Sequence, residues 1–65
     1  MPKRYTSKEL IKMIEADGWY FVRCAGSHHQ YKHDIKKGTV TIQHPKKDML
    51  TAVANSILKQ AGLKP

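Results

Sequence analysis

The sequence has one cysteine, Cys24, which rules out an internal disulfide and fits a reducing compartment. Cys24 lies in an apolar run and is read as a packed structural thiol rather than a nucleophile. Long hydrophobic runs are missing as well. The longest uninterrupted one is Trp19 to Val22, far short of the roughly 20 residues that cross a bilayer. The first apolar residues, Leu10 and Ile11, are already interleaved with charge, so no signal peptide is read and a cytoplasmic location is expected. Repeats and low-complexity segments are also lacking. With 65 residues, one domain over residues 1–65 is expected. A chain this short buries only about 60% of its unfolded surface, which excludes a large cofactor or a deep two-domain cleft.

Acidic residues are scarce too: five against twelve lysines and arginines, for a net charge of +7. The imbalance is concentrated. Residues 18–47 hold Arg23, Lys32, Lys36, Lys37, Lys46 and Lys47 against Asp34 alone, and all four histidines lie in the same segment. Residues 1–17 and 48–65 are each close to neutral. A basic excess on one segment is the electrostatic footprint of a nucleic-acid binder.

Patterning gives an α-β-β-β-α order. Residues 1–5 form a basic lead-in, and Thr6-Ser7-Lys8-Glu9 fits a capping box that starts a helix. Tyr5 and Leu10 are spaced for the accompanying hydrophobic staple. Leu10, Ile11 and Ile14 make an apolar stripe, and Gly18 stops the helix. Trp19 to Cys24 is aromatic and β-branched, hence a strand, with Trp19, Phe21 and Arg23 on one face and Tyr20, Val22 and Cys24 on the other. Ala25-Gly26-Ser27 makes a turn, and His28 to His33 forms the second strand. His28, Gln30 and Lys32 then share one side, while His29, Tyr31 and His33 share the other. Asp34 to Gly38 is a charged turn, followed by a strand over Thr39–Gln43 with Val40 and Ile42 inward. His44-Pro45 ends it, since proline donates no ladder hydrogen bond. A second helix follows, capped by Asp48, with Leu50, Val53, Ala54, Ile57, Leu58 and Ala61 at helical spacing. Three antiparallel strands with one face under two helices are the usual α+β solution, an order shared with double-stranded-RNA-binding domains.

On these residues the chain resembles HicA-type toxins, the ribonuclease half of HicA–HicB toxin–antitoxin pairs. The resemblance is carried by Lys8-Glu9-Leu10-Ile11, Asp17-Gly18-Trp19, Arg23, Gly26-Ser27-His28-His29-Gln30-Tyr31-Lys32-His33 and Ile57-Leu58-Lys59-Gln60-Ala61-Gly62-Leu63. It implies cleavage of messenger RNA, an antitoxin partner similar to HicB, and a functional histidine after Gly-Ser, here His28. It also turns Trp19 and Phe21 toward the core. That leaves Tyr20, Val22 and Cys24 as an exposed apolar strip, for which a partner contact is one hypothesis.

The chemistry needs little from the protein. RNA carries its own nucleophile, the 2′-hydroxyl, so a nuclease has only to move a proton and settle charge on the phosphate. Histidine, with an unperturbed pKa near 6.5, suits the first task, and lysine or arginine the second. The expected base is therefore His28 at the mouth of the turn, with Gly26 giving the phosphate room for close approach. Gly26, Ser27, Arg23, Lys32, Lys36, Lys37, Lys46 and Lys47 are the candidate RNA-binding residues. Arg23 and Lys32 stand nearest the base; the four loop lysines flank the third strand. His29 and His33 are read first as structural and second as general acids, and His44 as a loop residue.

Metal binding is disfavoured. On a strand His29 and His33 stand about 13 Å apart, at about 3.3 Å per residue, too far to share an ion. The rival reading is a non-catalytic RNA-binding module of the same fold. A DNA-binding regulator is disfavoured because the periodic stretch of the second helix carries only Lys59.

Overall fold

A computed structural model describes residues 4–64, so residues 1–3 of the basic lead-in lie outside the described residues. Helix α1 spans Ser7–Ala16 and begins with the expected capping box. Thr6 Oγ1 accepts from the Glu9 amide at 3.1 Å, and Glu9 Oε1 accepts from the Thr6 amide at 3.0 Å. Strands β1 (Tyr20–Ala25), β2 (His28–Lys32) and β3 (Val40–Gln43) follow, then helix α2 (Thr51–Gln60). The sheet is antiparallel in the order β1-β2-β3.

The core lies between one sheet face and the two helices. Tyr31, Val40 and Ile42 from the sheet meet Leu10 and Ile14 of α1 and Ala54, Ile57 and Leu58 of α2. The inward positions of β2 and β3 are therefore those that period-two alternation requires.

Four expectations are corrected by packing. Asp48 does not cap α2. It pairs with Arg4 at 3.1 Å, and Leu50 takes the N-cap position with no side-chain bond. Met49 is drawn into the core through a bridge to Tyr5 in place of Leu50, which stays exposed. Val53 also leaves the apolar stripe, at 47% exposed. Finally, Cys24 is exposed rather than packed, because β1 is an edge strand whose six residues all reach solvent.

The most consequential departure lies in β1. The register pairs Phe21 with Tyr31 but Arg23 with Gln30, so Val22 is an extra residue, a β-bulge. The bulge resets the alternation. Phe21 and Cys24 share the helix-side face with Tyr31 and His29, while Tyr20, Arg23 and Ala25 share the open face with Lys32, Gln30 and His28. Strict alternation had put Arg23 with Trp19 and Phe21; the bulge turns it toward His28.

Candidate functional site around His28

The turn that carries His28 is Ala25-Gly26-Ser27-His28, a two-residue hairpin loop between paired Ala25 and His28. Gly26 has φ +58°, while Ser27 has no positive φ. That combination is the pattern of a type II′ turn, whose first central position belongs to glycine. No atom outside its chain neighbours lies within 4 Å of where a Gly26 Cβ would stand. The glycine is therefore fixed by backbone conformation, and the space above it is open.

His28 is exposed at the start of β2, directly opposite Gln43 of β3. Its ring makes no hydrogen bond or ring contact with the described residues. Arg23 is its diagonal neighbour across β1, at roughly 7–8 Å between backbones, within reach of a long side chain. Arg23 Nε donates to Gln30 Oε1 at 2.6 Å, which aims the guanidinium along the open face. Lys32 shares that face but stands four residues along β2, roughly 13 Å away.

The four loop lysines divide between the two ends of the sheet. Lys46 and Lys47 follow His44, whose amide donates to Ser27 O at 2.8 Å, so they sit at the His28 end. Their ammonium groups make no ion pair with the described residues. Lys37 lies at the far end, also unpaired. Lys36, at that end, is engaged: its Nζ donates to Asp17 Oδ2 at 2.5 Å and to Ala61 O at 3.0 Å. That ammonium ties the ends of α1 and α2 together, with two of its three protons committed.

The remaining histidines have structural surroundings. His33 Nδ1 accepts from the amides of Ile35 and Lys36 at 3.0 and 3.1 Å. The ring proton is then on Nε2, which donates to Asp17 O at 2.7 Å. The 3.8 Å approach of Nε2 to Asp17 Oδ2 is thus a contact of a neutral ring. Gly18 makes room for it: a Cβ there would stand 2.9 Å from His33 Nε2. Lys36, first by its hydrogen bond and also by its charge, holds the Asp17 carboxyl below its usual range. His29 is half-buried between the rings of Phe21 and His44. His44 is more than a loop residue, since its Nδ1 lies 2.6 Å from Oγ of Ser7, a side chain buried at the start of α1.

Sequence reasoning missed Gln43, and it missed the pairing of Gln30 with Arg23: Gln30 falls on the His28 side of β2 as alternation requires, but only the bulge at Val22 brings Arg23 to that face. Gln43 depends on the β2–β3 register across a long loop, which no local signal sets. His28 and Gln43 also line one end of an open groove of about 520 Å³ that runs between β3 and α2.

The geometry thus presents an imidazole with no partner among the described residues on a polar sheet face, on the same face as an arginine and at the same end of the sheet as two lysines. The chain has no match among curated protein sequences. Among solved structures it is similar to a chain of a toxin–antitoxin complex from Streptococcus pneumoniae, with 32% identity and a TM-score of 0.74 over 89% of this chain and 97% of that one. A family model described as the HicA toxin of bacterial toxin–antitoxin matches residues 7–63, and the chain accordingly belongs to the HicA toxin family.

Proposed function

We propose that this toxin is a metal-independent endoribonuclease that cleaves messenger RNA with His28 as general base, held in check by a HicB-like antitoxin. The observation that carries this reading is the solvent-facing His28 ring, with no protein partner, on the same sheet face as Arg23. His28 takes the proton from the ribose 2′-hydroxyl, the 2′-oxygen attacks the adjacent phosphorus, and the 5′-oxygen leaves, taking a proton from water. The products are a 2′,3′-cyclic phosphate and a 5′-hydroxyl. A positioned base contributes roughly 10²–10⁴-fold.

Arg23 settles charge on the phosphorane, with Lys46 and Lys47 holding the backbone at the same end of the sheet. Gly26 and Ser27 form the lip over which the phosphate approaches. Lys32 and Lys37 are placed to meet RNA further along. Lys36 is the weakest member of the set, since two of its three ammonium protons are committed to Asp17 and Ala61.

His28→Ala tests the reading. Cleavage of a synthetic single-stranded RNA and growth arrest should disappear while RNA binding persists, and wild-type cleavage should survive EDTA. Undiminished cleavage by the variant rejects His28 as base. Binding with no cleavage by the wild type supports a non-catalytic RNA-binding module.

A further inference from the structure

The two edges of the sheet are built differently. The β1 edge carries a bulge and Arg23, both devices that discourage pairing with another strand. The β3 edge has neither. From Thr39 to Gln43 it contains no charge, no proline and no bulge.

The register shows which peptide groups that edge exposes. The His44 amide bonds to Ser27 O, so the pairs alternating from it, Ile42 with His29 and Val40 with Tyr31, are the hydrogen-bonded ones. Thr41 and Gln43 therefore point their N–H and C=O groups away from β2, as does Thr39 just before the strand. These are the β3-side residues that line the 520 Å³ groove, whose other wall is Ala52, Val53, Ser56, Ile57 and Gln60 of α2. An open strand edge facing a helix across a groove is the geometry that receives an added peptide strand.

We infer that this groove is the docking site for an extended segment of the antitoxin, which adds to β3 as a fourth strand and covers His28. The inference rests on the toxin–antitoxin reading but not on nuclease activity. Charge identifies the segment's chemistry. The groove lining has no lysine, arginine or carboxylate, while Lys37 and Lys46-Lys47 bracket the strand and Lys59 lies next to Gln60 on α2. No acidic residue lines the groove. The occupant is neutral along about five residues and acidic at its ends. A nucleic acid is the poorer fit, because the groove lining holds no lysine or arginine to meet a phosphate.

Amide hydrogen exchange of the full chain, with and without a co-expressed HicB-like antitoxin, tests the inference. Thr41 and Gln43 should slow by roughly a hundredfold or more in the complex, while Ile42, already bonded to β2, changes little. Thr41→Pro removes an outward donor without touching the β2 ladder and should weaken antitoxin binding roughly tenfold. Val53→Glu, on the exposed helix wall, should weaken it too and serves if the proline variant does not fold. Unprotected edge amides in the complex, or two folded variants with unchanged affinity, overturn the inference. So does protection of the same amides by a 2′-O-methyl RNA but not by the antitoxin. If wild-type chain fails to cut RNA yet shows the edge protection, the docking site stands and the nuclease reading falls.

Discussion

The two ends of the sheet hold the same residue types, histidine and lysine, and put them to opposite use. At the β1–β2 turn, the His28 ring and the ammonium groups of Lys46 and Lys47 have no partner among the described residues. At the other end, His33 uses both ring nitrogens and Lys36 bonds to Asp17 and Ala61. Trp19 joins that knot by donating to Ala61 O at 3.2 Å, so the ends of α1 and α2 and the loop after β2 are tied at one point. Imidazole and ammonium groups with satisfied bonds hold a small fold together. The same groups left unsatisfied, on an exposed lip, are free for a substrate.

The sharpest way to break this comparison is to delete each imidazole. His28→Ala should lower RNA cleavage by about 10²–10⁴-fold while leaving stability within about 0.5 kcal/mol. His33→Ala should do the reverse. It strands the Ile35 and Lys36 amides and the Asp17 carbonyl, and a loss of about 1–3 kcal/mol in urea denaturation is expected. If His33→Ala unfolds nothing and abolishes cleavage, the two ends have been assigned the wrong way round.

A smaller effect comes from the turn itself. Gly26→Ala places a β-carbon on a residue with φ +58°, for about 1–2 kcal/mol of strain. Because the strain sits beside His28, cleavage should fall by more than stability alone explains, which paired denaturation and single-turnover assays would show.

The lysines sharpen the contrast further. Neutralising Lys46 and Lys47 should reduce the slope of log affinity against log salt by roughly 1.4, at about 0.7 per phosphate contact on a single strand. Lys36→Met should leave that slope alone and lower the melting temperature instead. Equal slope changes from both would mean that Lys36 leaves Asp17 to bind RNA.

The smallest expected effect is on acid stability. The Asp17 carboxyl is held below its ordinary value near 3.8, so its contribution is present above that pH and is lost as pH falls through the lower folded-state value. Asp17→Asn should flatten stability against pH below about 4. An unchanged acid limb in urea titrations at pH 2–5 would remove the Asp17–Lys36 pair from the account.

Much of this was readable without coordinates. The capping box, the Gly26-Ser27 turn and the alternation of Val40 and Ile42 are local codes in which a few neighbouring residues dictate the backbone. His28 was legible because a two-residue turn puts the residue after it at a strand end. Arg23 reached the right face only through the Val22 bulge, and Lys36 looked identical to Lys37 until Asp17 and Ala61 were folded against it. Asp48 looked like a cap because nothing in sequence placed Arg4 beside it.

The sequence by itself determined the element order, the basic excess of the middle segment and the exposed imidazole after Gly26-Ser27, because each depends on interactions a few residues long. Only the tertiary structure decided which histidines and lysines are already bonded, which way Arg23 faces, and that an uncharged strand edge lies open beside α2. Those outcomes depend on strand register and on contacts between residues 16 to 44 positions apart, where the hydrogen-bond partner is chosen by packing rather than by neighbours in the chain.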